Sequence, residues 1–171
     1  ILGNIALTSN AYVEAKAHYQ KMYELELLMG DLRGQGMSQG NLGIIAELEG
    51  DYASAVKIFR DVRDVFHRMG DKGSEARAWI HIGLNYSLQG VYDLAKENYS
   101  KAVDIYREID NKQGLSWALS MLGYLCIDMQ DYNEAIQYCL ESLDLAETAG
   151  SKSGNELANW LIGRIALAQG D

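Results

Sequence analysis

An all-α solenoid of paired antiparallel helices is the fold class this sequence predicts, and three features of its 171 residues predict it. Glycine recurs at Gly3, Gly43, Gly83, Gly123 and Gly163, a forty-residue step that never slips. Tyr12, Tyr52, Tyr92 and Tyr132 keep that step, as do Ala15, Ala55, Ala95 and Ala135. No proline occurs anywhere, so nothing interrupts a helix from within. A period of this size along a whole chain means that each unit covers its neighbour's apolar face.

Each unit reads as two helices, the clearest being 72–89 followed by 91–109. The turns inside units are Gly50-Asp51, Gly90-Val91 and Gln130-Asp131; those between units are Gly30-Asp31, Gly70-Asp71, Asp110-Asn111 and Gly150-Ser151. Glycine ends a helix in the left-handed conformation without a Cβ penalty, and Asp, Asn or Ser then caps the next one. The expected units are 1–30 (partial), 31–70, 71–110, 111–150 and 151–171 (partial), forming one array over 1–171. That amounts to about four helix–turn–helix repeats plus a terminal unpaired helix. Because the chain opens on Ile1 inside a unit and the apolar run 160–167 lacks a partner, we expect a segment of a longer array. Gly43, Gly83 and Gly123 are assigned to packing, each letting Ala55, Ala95 or Ala135 of the following helix approach closely. A mid-helix glycine costs about 1 kcal/mol relative to alanine, which close approach of two backbones offsets. These glycines lack the Gly-rich run and lysine of a phosphate cradle.

Composition narrows the function classes. With 48% hydrophobic residues the chain can bury a substantial linear core. A net charge of −9 argues against nucleic acid as a partner, because phosphate binding needs clustered Lys and Arg. The basic residues Lys57, Arg60, Arg63, His67 and Arg68 are interleaved with Asp61 and Asp64 and read as a solvated outer face. No apolar run reaches membrane-span length. Two cysteines, Cys126 and Cys139, make no disulfide framework, so a reducing, cytoplasmic setting is expected. His18, His67 and His81 lie in different units without a carboxylate or thiol at ligand spacing, so no metal or cofactor is expected. No nucleophile motif is present, and no enzyme is expected.

The columns Trp79, Ile82, Gly83, Tyr86, Ala95, Tyr99 and Ala102 follow one another in the order of the tetratricopeptide repeat, which this chain resembles along its whole length. Leu42-Gly43, Ala55 and Phe59 keep the pattern in one further unit, and Leu122-Gly123 with Ala135 in the next. Forty residues exceed the common repeat of about thirty-four. That length resembles the long-repeat branch of Pins-type scaffolds and MalT-like bacterial regulators. The resemblance implies a right-handed α–α superhelix whose concave groove is lined by the first helix of each unit.

On that implied geometry the groove residues are Asn4, Asn41, Ile44, Arg77, His81, Leu84, Trp117, Tyr124 and Arg164. Ile80, Ser120, Ile127, Trp160 and Leu161 fall on the same expected face, while Trp79 is assigned to the core. Trp117, Tyr124 and Trp160 make an aromatic end; Asn4, Asn41, Arg77 and His81 make a polar end. Carboxylate-clamp members of the family hold an acidic peptide end at such polar columns. Asn4 and Asn41 match them, whereas Arg77 stands for a lysine and His81 for an arginine. Solvation or inter-repeat hydrogen bonding is the other role weighed for this set. The expected function is a non-catalytic protein- or peptide-binding module of a larger regulatory or scaffold protein. Two other readings stay open: a ligand-sensing domain of a multidomain ATPase or transcription regulator, and a self-assembling spacer whose ends stack on other copies.

Overall fold

The computed structural model describes the backbone of residues 2–170 and the side chains of residues 11–170. Among these, eight helices and no strand occur: α1 Leu2–Met29, α2 Leu32–Glu49, α3 Tyr52–Arg68, α4 Lys72–Leu88, α5 Tyr92–Glu108, α6 Lys112–Asp128, α7 Tyr132–Thr148 and α8 Lys152–Gln169. Each helix packs on the next, and α4, α6 and α8 also touch one another along one side of the stack. The result is an all-α solenoid, with α2–α3, α4–α5 and α6–α7 as full pairs.

The punctuation that ends each helix is physical. Gly30, Gly50, Gly70, Gly90 and Gly150 all have positive φ, as do Asp110 and Gln130, which take the same conformation without glycine's freedom. Asp31, Asp51, Asp71, Asn111, Asp131 and Ser151 then each accept a hydrogen bond from the backbone N–H three residues on. Val91, at the start of α5, offers no such bond. α1 departs from the period: Gly3 and Tyr12, which the step would assign to two helices, share one unbroken helix. Where other units place Gly50-Asp51 or Gly90-Val91, this stretch carries Asn10-Ala11, with neither a glycine to end one helix nor an Asp to cap another.

The packing glycines sit where backbones must approach. A Cβ at Gly83 would stand 2.8 Å from the Tyr99 ring and 3.2 Å from the Ala95 carbonyl oxygen. At Gly43 it would meet the Phe59 ring at 2.8 Å, and at Gly123 it would meet Cys139 Sγ at 2.6 Å and the Ala135 oxygen at 3.5 Å. Around these contacts Ala55, Ala95 and Ala135 are wholly buried and Phe59 and Tyr99 nearly so. Burying each such ring contributes about 1.5–3 kcal/mol.

Candidate functional site

The inner face of α2, α4, α6 and α8 carries two cavities separated by one side chain. The smaller, about 330 Å³, has Phe59, Val62 and Phe66 of α3 as its floor, Gly40 and Ile44 as one wall, and Arg77, His81 and Asn41 at its rim. The larger, about 490 Å³, is lined by Arg77, Tyr106, Ser116, Trp117, Ser120 and Leu157, with Asn111 and Ser151 at its mouth. Arg77 belongs to both. It is exposed and stands against Tyr106, whose hydroxyl lies 3.4 Å from the Gly73 carbonyl oxygen. Burial pushes the Tyr106 phenol above its ordinary value, with the Arg77 guanidinium pulling the other way.

Helical geometry explains why the expected face is only partly a surface. Ile80, Ser120 and Leu161 are fully buried and Ile127 nearly so, a correction to the groove face that the family resemblance implies. Side-by-side contact of α4, α6 and α8 covers those columns. Gly40 occupies the column of Ile80 and Ser120, and having no side chain there leaves the smaller cavity open. Ile44 and Arg77 are exposed, Tyr124 is at the edge of exposure, and Asn41, Leu84, Trp117 and Arg164 are half-buried. The side chain of Asn4 lies outside the described residues.

The polar residues divide in use. His81 Nδ1 stands 3.0 Å from Glu47 Oε1, and Asn85 Nδ2 donates to the same oxygen at 2.6 Å. The imidazole is also stacked on Phe59, centroids 4.3 Å apart, and meets the edge of Trp117 at 6.1 Å. His81 therefore links α2 to α4. Asn41 Nδ2 donates to the Met37 carbonyl oxygen of its own helix at 3.1 Å. The polar and aromatic ends expected to be separate are joined, because Trp117 lies beside both His81 and the Arg77 cavity. A second aromatic platform follows, where Tyr124 and Trp160 stack at 6.4 Å and the Arg164 guanidinium lies 5.0 Å from each ring. Arg164 is also 3.8 Å from Asp128, whose carboxyl burial raises against the pull of Arg164.

Three serines bond to one another under the larger cavity, of which only Ser120 was placed on the expected face from the sequence. Ser116 Oγ donates to the Ser142 carbonyl oxygen at 2.9 Å, Ser142 Oγ donates to the Ser116 carbonyl oxygen at 2.8 Å, and Ser120 Oγ lies 2.8 Å from Ser142 Oγ. The corresponding residues one unit earlier are Ala76, Ala102 and Ile80. That apolar-to-hydroxyl exchange is the signal that could have found them. Tyr106, also missed, lies over Gly114, which has no Cβ to exclude its ring.

The other expected residues fall elsewhere. Trp79 is only partly buried, with Arg63 and Lys101 each 4.6 Å from its ring on the outer side. Cys126 and Cys139 are buried free thiols. Among the described residues no group of His, Cys, Asp and Glu is arranged to hold a metal ion, and no helix is long and apolar enough to cross a membrane.

Residues 74–148 match the tetratricopeptide repeat family, while no curated protein matches the chain. BtubC from P. vanneervenii is similar in structure, with a TM-score of 0.71 and 12% identity over 99% of this chain and 79% of its own. The apo form of RapI gives 0.60 and 16% over 81% of this chain and 58% of its own. A putative kinesin light chain from Podosopora anserina with TPR-like repeats gives 0.50 and 14% over 99% and 94%. At these identities the likeness is one of fold. The period, the helix pairs, the glycine contacts and the matched segment together support a tetratricopeptide-like helical-repeat family for this chain.

Proposed function

We propose that this chain is a non-catalytic peptide-binding module whose ligand lies along the inner face of α2, α4, α6 and α8. A carboxylate of the peptide meets Arg77, and apolar or aromatic side chains enter the two flanking cavities. The observation that carries this reading is the place of Arg77: one exposed guanidinium lining both cavities, between Phe59 on one side and Trp117 on the other. His81 is held by Glu47 and acts as a wall rather than as a second cation for the ligand. The Tyr124–Trp160 platform continues the same face and offers stacking area further along the peptide.

A panel of labelled peptides ending in a free carboxylate, with an aromatic or aliphatic residue near the end, tests the idea by fluorescence anisotropy. Arg77→Ala should weaken the best binder by about tenfold or more, since a hydrogen bond to a charged group contributes roughly 1.5–3 kcal/mol. Trp117→Ala should act in the same direction, and Lys57→Ala, on the outer side of α3, should do nothing. Unchanged affinity in the Arg77→Ala/Trp117→Ala double variant would reject the groove.

The size of the larger cavity favours one second reading, a small effector bound in place of a peptide. About 490 Å³ is within the range of small-molecule sites, roughly 300–1,000 Å³. A small acid that raises the melting temperature of wild type but not of Arg77→Ala, with no peptide binding, would select it.

A further inference from the structure

On the outer side of the solenoid, away from the groove, a further cavity of about 340 Å³ lies between α3, α4 and α5. Its walls include Arg60 and Arg63 of α3, Trp79 and Tyr86 of α4, and Asn98 and Lys101 of α5. The Arg63 guanidinium and the Lys101 ammonium each stand 4.6 Å from the centre of the Trp79 ring, which attracts both. Arg60 Nη2 donates to the Tyr86 hydroxyl, a neutral acceptor, at 2.7 Å. Cations from two helices thus converge on one hole with an aromatic wall. The repeat does not require them. One unit further on, the columns of Arg60, Arg63, Trp79, Tyr86 and Lys101 carry Ser100, Val103, Leu119, Cys126 and Glu141. One unit earlier they carry Gln20, Tyr23, Gln39, Ala46 and Asp61. Val103, Leu119 and Cys126 are buried, so an apolar seam there is exchanged here for a charged and hollow one. The Arg63 side chain is only 24% exposed and gives up part of its hydration, a cost that a solvated surface does not carry.

We propose that this outer cavity binds a phosphate monoester. The phosphate carries about two negative charges at neutral pH and three terminal oxygens, one for each of Arg60, Arg63 and Lys101. A carboxylate, planar and singly charged, serves fewer of these cations at once. Two carboxylates already stand at the rim: Asp64 is 2.5 Å from Arg63, and Glu97 is 2.6 Å from Lys101. Their side chains are 58% and 56% exposed. Ion pairs so exposed contribute little, and both carboxylates can turn to water when a doubly charged guest enters. Trp79 meanwhile keeps Arg63 and Lys101 in place, so the donors are arranged before the guest arrives. The volume leaves room for a short organic stem beside Asn98 and Leu94. Neither cavity of the inner groove shares a lining residue with this one, so the site is independent of the peptide reading.

The chain has three tryptophans, and an NMR titration of their indole N–H signals at constant ionic strength tests the site. The Trp79 signal, assigned with Trp79→Phe, should move saturably with glycerol phosphate and not with acetate. The Trp117 and Trp160 signals should stay still. Arg60→Gln and Lys101→Met, each with an unchanged helical spectrum, should weaken the response by about tenfold. Lys57→Ala, on the same helix but outside the cavity lining, should leave it as in wild type. A pentapeptide with one phosphoserine distinguishes the sources: tighter binding than glycerol phosphate assigns the ester to a protein segment, and weaker binding to a free small molecule. The proposal is overturned by a Trp79 signal that does not move up to about 10 mM glycerol phosphate. Acetate acting as strongly as the ester, or an unchanged response in Arg60→Gln/Lys101→Met, would equally overturn it. So would a shift of Trp117 in place of Trp79, which puts the anion at Arg77.

Discussion

Gly83 and Gly40 are both helix-interior glycines, yet their surroundings give substitution opposite signs. A methyl at Gly83 would press on the Tyr99 ring and on a backbone oxygen that cannot swing away, whereas at Gly40 it meets nothing within 4 Å. Gly83→Ala should destabilise by about 1–3 kcal/mol through overpacking. Gly40→Ala should stabilise by up to about 1 kcal/mol, the helix-propensity difference alone. Urea denaturation midpoints at constant slope check both. Periodicity in the sequence singled out Gly83 and told that something approaches it. The same columns placed Phe59 beside Gly43 and Tyr99 beside Gly83, as found; which ring edge faces the backbone was not legible, because a repeat fixes the column and not the rotamer that fills it.

At the scale of the element, helix starts and stops were the most legible part of the chain, since they depend on local residues alone. α4 and α5, expected at 72–89 and 91–109, run from Lys72 to Leu88 and from Tyr92 to Glu108. Among the described starts of α2 to α8, only that of α5 lacks a side-chain cap bond, which supplies a test. Val91→Asp should stabilise the protein by about 1 kcal/mol by supplying the missing side-chain acceptor for α5. Thermal melts of this variant beside Asp131→Ala, which should lose a similar amount at α7, measure it. Less legible was which side of a first helix faces open space. Ile80 and Ser120 share the column of Gly40, but neighbouring first helices cover them, and contacts between helices one unit apart leave no trace in the spacing of a single helix. An inter-repeat hydrogen bond was weighed for the set that includes His81, but its partner Glu47, 34 residues away, was not legible for the same reason.

For the whole molecule, ionisation sets a stability window. Burial pushes the Cys126 thiol up to about 12 and Cys139 to about 11 from an ordinary 9.0. Below pH 9.0 both thiols are protonated whether the chain is folded or not, and their contribution is fully present. Above it only the unfolded chain ionises, so stability falls as pH climbs toward the folded values. Lys96 is raised chiefly by its hydrogen bond to Glu134 and adds to the alkaline loss; Glu134 is lowered first by Lys96 and is lost on the acid side. Unfolding free energy from urea titrations should fall steadily from pH 9.0 to about 11, with a shallower slope in Cys139→Ala. Apolar contacts are non-directional, and Ala76, Ile80 and Ala102, all wholly buried, offer their neighbours only such contacts. The hydroxyl trio Ser116, Ser120 and Ser142 satisfies its hydrogen bonds in one setting only. It acts as a detent that holds α6 against α7 at a fixed angle, and with α6 the wall carrying Trp117.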